Sequence, residues 1–285
     1  MIVVNFSLEQ GSKYYGRIDG MRFYIGGRVN YKGLKGLMNV SGQAPDRYDA
    51  APFRQEFGAW ADFIYPTAMA EGALYHTLNS YDRARFTFGF LQYAAHVPNG
   101  DFVLFLRELL ALELAAEYFP DLQLRKGRIW RLRDDSAVQV ETDDSTAALM
   151  DYLNPSSQEV EDTEVIQAAK FVHWSKADPA HRRVQVACGI AHMRRAMRDY
   201  ARLYALDGKP DVVCLLVADI RHQGRGSSLQ IRNALAAAAP EDALLRIGSD
   251  AYPGRATSLK QSIRKLRDEG RLGRLEYDAA SGDFH

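Results

Sequence analysis

The sequence predicts a mainly α-helical protein of the α+β class, and three observations support this prediction. Glycines and short apolar-aromatic pieces are concentrated in residues 1–44, which favours strands and hairpins there. From Pro52 onward, apolar residues recur at helical spacing, most regularly between 179 and 206. Strands do not alternate with helices in this part, so we expect no parallel sheet.

The predicted elements follow the chain in order. The N-terminal β-rich segment is assigned to 1–49 and the main domain to 50–285. Pro66 predicts a break between helices at 53–65 and 67–78, because proline lacks the amide hydrogen of a continuing helix. Further helices are predicted at 101–119, 145–153, 161–174, 179–206, 211–222, 231–239 and from 258 onward. A pair of short strands or a loop is predicted at 127–141, and a short strand at 272–277.

The longest predicted helix has an apolar face and a basic face. Its apolar residues step by three or four positions: Val186, Ile190, Met193, Met197, Tyr200 and Tyr204. The basic face carries Arg194, Arg195, Arg198 and Arg202. A solvated face is the simplest interpretation. A nucleic-acid interface, there or at the basic C-terminal helix with Lys260, Arg264, Lys265 and Arg267, is the alternative.

Charge and composition exclude several classes of protein. The chain has 285 residues, 47% of them hydrophobic, which is typical of a globular protein. It has 36 basic and 36 acidic side chains, so a general polyanion binder is not expected. Cys188 and Cys214 lie in apolar stretches and predict buried free thiols, with a single disulfide as the alternative.

The start of the chain and its apolar runs bear on localisation. The first residues have no basic leader, and the apolar runs are far shorter than the ~18 residues of a membrane span. We therefore expect no membrane insertion and a chain that is cytoplasmic as synthesised. Export to the periplasm or cell wall would need a leaderless route.

One acidic segment stands out against the zero net charge. Residues 134–164 contain ten acidic side chains, including Asp134 and Asp135, and no lysine or arginine. A solvated connector is one interpretation. The other is a surface that attracts a cationic amino-sugar polymer by local electrostatic steering.

Known nucleotide, metal and serine-hydrolase motifs do not occur in the sequence. There is no G-x-G-x-x-G, Walker loop or G-x-S-x-G. The seven histidines form neither H-E-x-x-H nor a Cys/His pair at zinc spacing. We therefore expect no metal and no cofactor.

Two carboxylates are candidates for acid-base chemistry. Glu71 ends an apolar helix, and an apolar edge raises the pKa of a carboxyl group, as a general acid needs. Asp82 lies in a polar turn that favours the ionised form, and Thr87 could hold a water for it. Carboxylates in such contrasting surroundings are typical of glycoside hydrolysis. By itself the pair is weak, because an Asp eleven residues from a Glu is common by chance.

This segment resembles the catalytic hairpin of the lysozyme-like superfamily, and is closest to its chitosanase branch. Asp82, Phe86, Thr87 and Gly89 fit the run Asp-x-x-x-aromatic-Thr-x-Gly. Residues 174–185 resemble that branch's Trp and Arg-x-x-Gln helix start, with Trp174 and Gln185. Residues 215–224 are similar to its later helix, which ends in a Gln/His/Gly motif beside the cleft. The resemblance covers roughly residues 55–240.

The resemblance implies a two-lobed lysozyme-like fold with a small β-hairpin at the active site. It implies that Glu71 protonates the leaving oxygen, Asp82 activates water and Thr87 positions that water. Such an inverting enzyme predicts carboxyl groups ~6.5–9.5 Å apart, against ~5–5.5 Å for a retaining one. The predicted substrate contacts are Asn79, Tyr81, Arg85, Gln92, Asp219, His222 and Gln223.

Several of these residues also have simpler interpretations. Asn79 and Tyr81 would shape the turn, and His222 and Gln223 would cap a helix end. Asp219 would be a buried acid held by an arginine. The aromatic residues Trp174, Phe86, Phe88 and Phe90 are expected in the core.

The expected function is hydrolysis of a β-1,4-linked amino-sugar polymer, with peptidoglycan favoured and chitosan as the alternative. The polysaccharide is the expected partner, and an immunity or delivery partner is not identified. The sequence departs from the family's pattern at two places, and these leave other mechanisms open. Ala84 replaces the family's arginine, and Gly89 to Gln92 is similar to the Gly-x-x-Gln of lytic transglycosylases. A non-catalytic cell-wall-binding or structural module of the same fold is the competing class.

Overall fold

The computed structural model describes residues 1–42, 46–133 and 136–285. Its strands are β1 (Asn5–Glu9), β2 (Lys13–Ile18), β3 (Met21–Tyr31), β4 (Leu34–Asn39), β5 (Leu78–Asn79), β6 (Thr87–Phe88), β7 (Tyr93–Ala94), β8 (Leu122–Arg125), β9 (Arg128–Arg133), β10 (Ser136–Gln139), β11 (Tyr277–Asp278) and β12 (Asp283–Phe284). Its helices are α1 (Arg54–Phe57), α2 (Ala59–Ala70), α3 (Asp101–Leu110), α4 (Ala115–Tyr118), α5 (Ala147–Leu153), α6 (Asp162–Ala177), α7 (Pro179–Tyr204), α8 (Asp211–Gln223), α9 (Ser228–Leu235), α10 (Pro240–Arg246) and α11 (Pro253–Asp268). The α+β class is confirmed.

The chain forms two compact units that interleave in sequence. Unit 1 consists of Met1–Arg47 and Leu74–Cys188, and unit 2 consists of Tyr48–Ala73 and Gly189–His285. The observed division therefore differs from the predicted boundary between residues 49 and 50.

Unit 1 is organised around a seven-stranded antiparallel sheet in which β1 to β7 follow one another in chain order. The predicted N-terminal strands are present, and Gln43 and Ala44 at the end of that segment lie outside the described residues. The segment is not a separate appendage, because β4 pairs directly with β5, with Met38 opposite Asn79. Backbone hydrogen bonds thus continue the N-terminal sheet into the hairpin that carries the predicted site.

The core of unit 1 is aromatic and centres on Phe171 of α6. Its ring centroid lies 5.4 Å from that of Phe86, 5.2 Å from that of Phe88 and 5.0 Å from that of Phe119. Trp174 is also fully buried, and its ring stacks on Tyr118. The core interpretation of Trp174 and of the alternating phenylalanines is confirmed, because burial of large apolar rings dominates packing here.

Unit 2 is mainly helical and is built around α8, in which Asp211–Ile220 are all buried. Helix α2 packs against α8 and α11, and α10 packs against α8 and α9. A short hairpin, β11–β12, ends the chain. The apolar composition of 211–222 predicted such a buried helix.

The predicted helix break at Pro66 is wrong, since Pro66 lies inside α2. A proline within a helix costs about 3 kcal/mol. Burial of Trp60, Phe63 and Ile64, each at most 2% exposed, contributes about 1.5–3 kcal/mol per side chain and outweighs that cost. Tertiary packing therefore keeps the helix continuous past Pro66.

The helix predicted at 101–119 is divided. It ends at Leu110, and the amides of Leu112 and Ala115 donate to carbonyls three residues back, at 3.0 and 3.1 Å. Such tight turns interrupt the α-helical ladder before α4. The apolar face of α7 is confirmed, because each of its six predicted residues is buried except Tyr200, which is partly exposed.

No helix of the described residues combines the length and the apolar character that crossing a membrane requires.

Candidate functional site

The predicted site residues fall into two groups, one in each unit. Glu71, Asp219, His222 and Gln223 belong to unit 2. Unit 1 contains the others, namely Asn79, Tyr81, Asp82, Arg85, Thr87 and Gln92. In unit 1 the structure brings Asn79, Asp82 and Thr87 together, and in unit 2 it brings Glu71, Asp219 and His222 close to one another.

Glu71 occupies the C-terminal end of α2. Its backbone amide donates to the carbonyls of Thr67 and Ala68, both at 3.1 Å, so it closes the last turn of the helix. Its carboxylate accepts a hydrogen bond from Nη1 of Arg255 on α11. The expected apolar edge is therefore absent, because a guanidinium from a distant part of the sequence lies against this carboxylate.

An alternating series of charges extends inward from Glu71. The Nη2 of Arg255 donates to Oδ1 of Asp219 at 2.6 Å, and Nη1 of Arg225 lies 2.5 Å from Oδ2 of Asp219. We call Glu71, Arg255, Asp219 and Arg225 the charge chain. The Asp219 side chain is 0% exposed and that of Glu71 is 17% exposed, so Glu71 is the accessible end.

The pKa values of the two arginines follow their number of carboxylate partners. Burial by itself lowers the pKa of Arg255, but Asp219 and Glu71 together raise it above its ordinary value. At Arg225 burial outweighs the attraction of Asp219, and the pKa is lowered. Both guanidinium groups stay charged at neutral pH, because the ordinary arginine pKa is so high. The buried Asp219 thus holds two cations in place.

Arg225 is anchored by further contacts. Its Nε donates to the carbonyl of Ile247 at 3.1 Å, and its Nη1 donates to Oε1 of Gln223 at 3.3 Å. Gly248 has a φ of +73°, and a Cβ there would lie 3.0 Å from Cδ of Arg225. A side chain at Gly248 would therefore disturb both the backbone and the arginine.

His222 lies on α8, close to the charge chain. Burial lowers its pKa, while Glu71 and Asp219 raise it, and His192 and Arg255 lower it further. Its ring centroid is 6.4 Å from that of His192. The net lowering predicts a neutral imidazole at pH 7.

The end of α8 contains the Gln/His/Gly motif noted in the sequence. The helix ends at Gln223, and Gly224 caps it in the left-handed conformation with φ of +73°. Asp219 lies inside the unit, as in the interpretation of a buried acid held by an arginine. Because Asp219 is completely buried, it cannot contact substrate directly as predicted, and its role is structural. Substrate contact by His222 and Gln223 stays a prediction.

The hairpin predicted at the active site is present in unit 1. Strands β5 and β6 pair antiparallel, with Asn79 opposite Thr87, and β7 extends the sheet. Residues directly opposite one another share a face, with Cβ atoms about 4.5–5.5 Å apart. Thr87 is 6% exposed and lies on the face from which Asn79 reaches Asp82.

The Asp82 carboxylate is oriented by two donors of its own loop. Its Oδ2 accepts from Nδ2 of Asn79 at 3.0 Å, and its Oδ1 accepts from the amide of Ala84 at 2.8 Å. Asn79 also accepts from the amide of Tyr81 at 3.2 Å. The turn-forming interpretation of Asn79 therefore agrees with the structure, and contact of Asn79 and Tyr81 with sugar stays a prediction.

Arg85 is occupied by structural contacts. Its Nε donates to the carbonyl of Asn154 at 3.0 Å, and its Nη2 lies 2.8 Å from Oδ1 of Asp151. In return, Nδ2 of Asn154 donates to the carbonyls of Ser80 at 3.0 Å and Arg85 at 2.9 Å. Asn154 thus fastens both ends of the loop that contains Asp82.

Substitution Asn154→Ala should lower the free energy of unfolding by about 1–3 kcal/mol, because the buried carbonyl of Ser80 and the partly buried carbonyl of Arg85 lose their donor. Urea unfolding of the variant measures the loss. Ser156→Ala, which removes a hydroxyl nearby in the sequence, is the control. An unchanged midpoint in Asn154→Ala would contradict the role of Asn154 as a fastening residue.

The turn after β6 is held by Gln185 of α7. Its Oε1 accepts from the amide of Phe90 at 3.2 Å, and its Nε2 donates to the carbonyl of Tyr75 at 2.8 Å. Gly89 has a φ of +91°, and a Cβ there would lie 2.6 Å from Oε1 of Gln185. This explains physically why the Thr-x-Gly run needs glycine. The amide of Gln92 donates to the carbonyl of Gly89 at 2.9 Å, and the role of Gln92 as a substrate contact stays a prediction.

The sequence did not predict Arg255, Arg225 and Glu164 as parts of the two groups. Arg255 lies 184 residues from Glu71, and Glu164 lies 84 residues from its partner Ser80. No local spacing connects such pairs. Only the isolated acid among apolar residues at 219 signalled that a distant arginine was required.

The acidic segment 134–164 is solvated in part: Asp143, Asp144, Asp151, Glu159 and Asp162 are exposed, whereas Glu141 and Glu164 are buried. Glu141 is buried and accepts hydrogen bonds from Arg107 and Arg128, while Asp143 is ion-paired with Arg128. Arg107 and Arg128 thus compensate acidic side chains of a segment that contains no lysine or arginine of its own. Asp134 and Asp135 lie outside the described residues, so this part of the prediction is not addressed.

No disulfide joins the two cysteines of the described residues; Cys214 is buried and Cys188 is partly exposed. Within residues 1–42, 46–133 and 136–285, no group of three or more His, Cys, Asp or Glu side chains is arranged to hold a metal ion.

No protein-family model matches the chain, and no curated protein or solved structure is significantly similar to it.

Proposed function

We propose that the protein is a glycoside hydrolase that cleaves β-1,4 linkages of an amino-sugar polymer. Peptidoglycan is the favoured substrate and chitosan the alternative, and the fold is proposed to be of the lysozyme-like kind. The observation that supports this most is the charge chain. Arg225, Asp219 and Arg255 are buried, and they hold one carboxylate, that of Glu71, at the accessible end of the charge chain.

In this proposal Glu71 is the general acid, so it must take up a proton before it acts. Arg255 contacts Glu71 through Nη1 but holds Asp219 through Nη2 and Nε, at 2.6 and 3.4 Å. Protonation of Glu71 therefore leaves Arg255 paired with a carboxylate.

Asp82 is proposed as the base that activates water, with Thr87 as the residue that positions it. Each carboxylate oxygen can accept two hydrogen bonds. Each oxygen of Asp82 accepts one from its own loop, from Asn79 or from Ala84. One acceptor position per oxygen is thus left for a water, and the two donors fix the direction of the carboxylate.

The test is release of reducing ends from purified peptidoglycan and from chitosan. Asp82→Asn should lower the rate at least about 100-fold, because no base then takes the proton of the attacking water. Asp144→Asn is the matched control, since Asp144 is exposed in the same unit and should leave the rate unchanged. Thermal unfolding shows that the variants are folded.

The outcomes distinguish the alternatives. Products of inverted anomeric configuration, observed by NMR, support Asp82 as base. Full activity of Asp82→Asn with products that lack new reducing ends would identify a lytic transglycosylase. Failure of the wild type to cleave either polymer would contradict the enzyme proposal and favour a cell-wall-binding module.

A further inference from the structure

A buried glutamate contacts the hairpin loop that carries Asp82. Glu164 lies on the first turn of α6 and is 0% exposed. Its Oε1 lies 2.5 Å from Oγ of Ser80, two residues before Asp82. Among the residues that the structure describes, Oε2 of Glu164 has no hydrogen-bond partner and Glu164 forms no ion pair. A carboxyl group in this position needs an explanation, because a buried ionised carboxylate without a cation is very costly.

Counting protons at Ser80 indicates the state of Glu164. Oγ of Ser80 accepts from the amide of Leu37 at 2.7 Å, and lies 3.2 Å from the carbonyl oxygen of Leu37. The hydroxyl has one proton and two lone pairs. If Glu164 is ionised, its carboxylate and the Leu37 carbonyl compete for that single proton. If Glu164 is protonated, it donates to Ser80, Ser80 donates to Leu37, and all three contacts are hydrogen bonds.

The surroundings of Glu164 favour the protonated form. Burial raises the pKa of Glu164, the Ser80 hydroxyl and the Leu37 amide lower it in part, and the net value is about 7. The charged group that acts on it from its own helix end is Glu161, which raises the pKa further. From β4 and the hairpin loop, the groups that face it are the uncharged backbone of Leu37 and the hydroxyl of Ser80.

The loop and β4 approach each other very closely at this point. The amide of Ser80 also donates to the carbonyl of Leu37, at 3.0 Å. A Cβ on Gly36 would lie 2.6 Å from the backbone carbon of Ser80, so only glycine permits this approach. Ser80 therefore links β4, α6 and the loop of Asp82 in one place.

We propose that Glu164 is a positioning residue for Asp82: its protonated carboxyl fastens Ser80 to β4 and so holds the loop that carries the base. This inference rests on the proposed role of Asp82. When Glu164 ionises, the single hydroxyl proton of Ser80 cannot be donated to both the Glu164 carboxylate and the Leu37 carbonyl. The loop is then held less firmly. At one pH unit above the pKa, only about a tenth of the molecules keep the proton.

The decisive variant is Glu164→Gln, whose amide donates to Ser80 at every pH and cannot ionise. Between pH 6 and pH 8 we expect kcat/KM of the wild type to fall about tenfold because of this ionisation. In Glu164→Gln this contribution should be absent, so the ratio of variant to wild-type kcat/KM should rise about tenfold over the same range, while any other pH dependence is common to both proteins. At pH 6 the two activities should agree within a few-fold. Glu159→Gln, an exposed neighbour, should keep the wild-type profile. An unchanged alkaline limb in Glu164→Gln would overturn the proposal.

A second measurement does not depend on activity. Glu164 keeps its proton in the native state up to pH about 7, whereas the unfolded chain releases it near the ordinary value of 4.5. Stability of the wild type should therefore fall as pH rises from 4.5 to 7, and Glu164→Gln should lack this contribution. Superimposable stability profiles would overturn the proposal. If the wild type released no glycan, the proposed function and the role in positioning a base would both fail. A difference in stability would then still identify a neutral buried carboxyl.

Discussion

Substitution Asp219→Ala should lower the free energy of unfolding by about 3–5 kcal/mol, the largest stability effect that we expect in this protein. Asp219 is the only carboxylate in the described residues that contacts both Arg225 and Arg255, at 2.5 and 2.6 Å. Its removal leaves two cations inside unit 2, with side chains 4% and 7% exposed. Glu71 contacts Arg255 and attracts Arg225 by its charge.

Urea or guanidinium unfolding at pH 7 measures this effect. Asp250→Ala is the matched control, because Asp250 is an exposed acid of the same unit and should change stability by no more than about 0.5 kcal/mol. Asp219→Asn should lie between the two, since its amide oxygen still accepts one hydrogen bond from an arginine. A loss below about 1 kcal/mol in Asp219→Ala would show that the charge chain does not hold this unit together.

Substitution Glu71→Gln should reduce glycan cleavage by about 10³–10⁴-fold, the largest effect on activity. A glutamine cannot protonate the leaving oxygen, so the sugar must depart as an alkoxide. The expected loss exceeds that of Asp82→Asn, because water can still attack an oxocarbenium-like transition state without a base. The shape of the side chain is kept, and Oε1 of glutamine can still accept from Arg255.

The measurement is reducing-end release from peptidoglycan and chitosan by wild type and variant. Glu108→Gln, an exposed glutamate on α3, is the control that separates loss of one negative charge from loss of the acid. The melting temperature of Glu71→Gln should stay within a few degrees of the wild type, because Asp219 still compensates Arg255. Equal activity in Glu71→Gln and wild type would end the assignment of Glu71 as the acid.

Periodic patterns explain why parts of the fold could be predicted. The apolar step of three and four residues in α7 predicted its buried face, and buried Met193 and Met197 lie on it. The alternation of Phe86, Phe88 and Phe90 predicted buried rings around β6. Each of these is a local signal, because side chains two, three or four residues apart share a face.

The prediction failed where distant residues decide the outcome. Pro66 predicted a helix end, but packing of the neighbouring apolar side chains keeps α2 continuous. The boundary near residue 49 missed the pairing of β4 with β5, which joins segments about forty residues apart. The sequence of a strand does not show which strand it pairs with, since any strand edge offers the same backbone donors and acceptors.

The sequence by itself determined the class of the fold, the burial of its periodic faces and the hairpin in which Asn79, Asp82 and Thr87 lie together. These depend on contacts within a few residues, where backbone geometry fixes which side chains meet. Only the tertiary structure decided that Glu71 ends on Arg255, and that Glu164 lies against Ser80. Buried polar groups require a partner, but the partner's position depends on how whole elements pack. At Asp219 the sequence indicated that a partner was needed, and the folded chain selected Arg225 and Arg255.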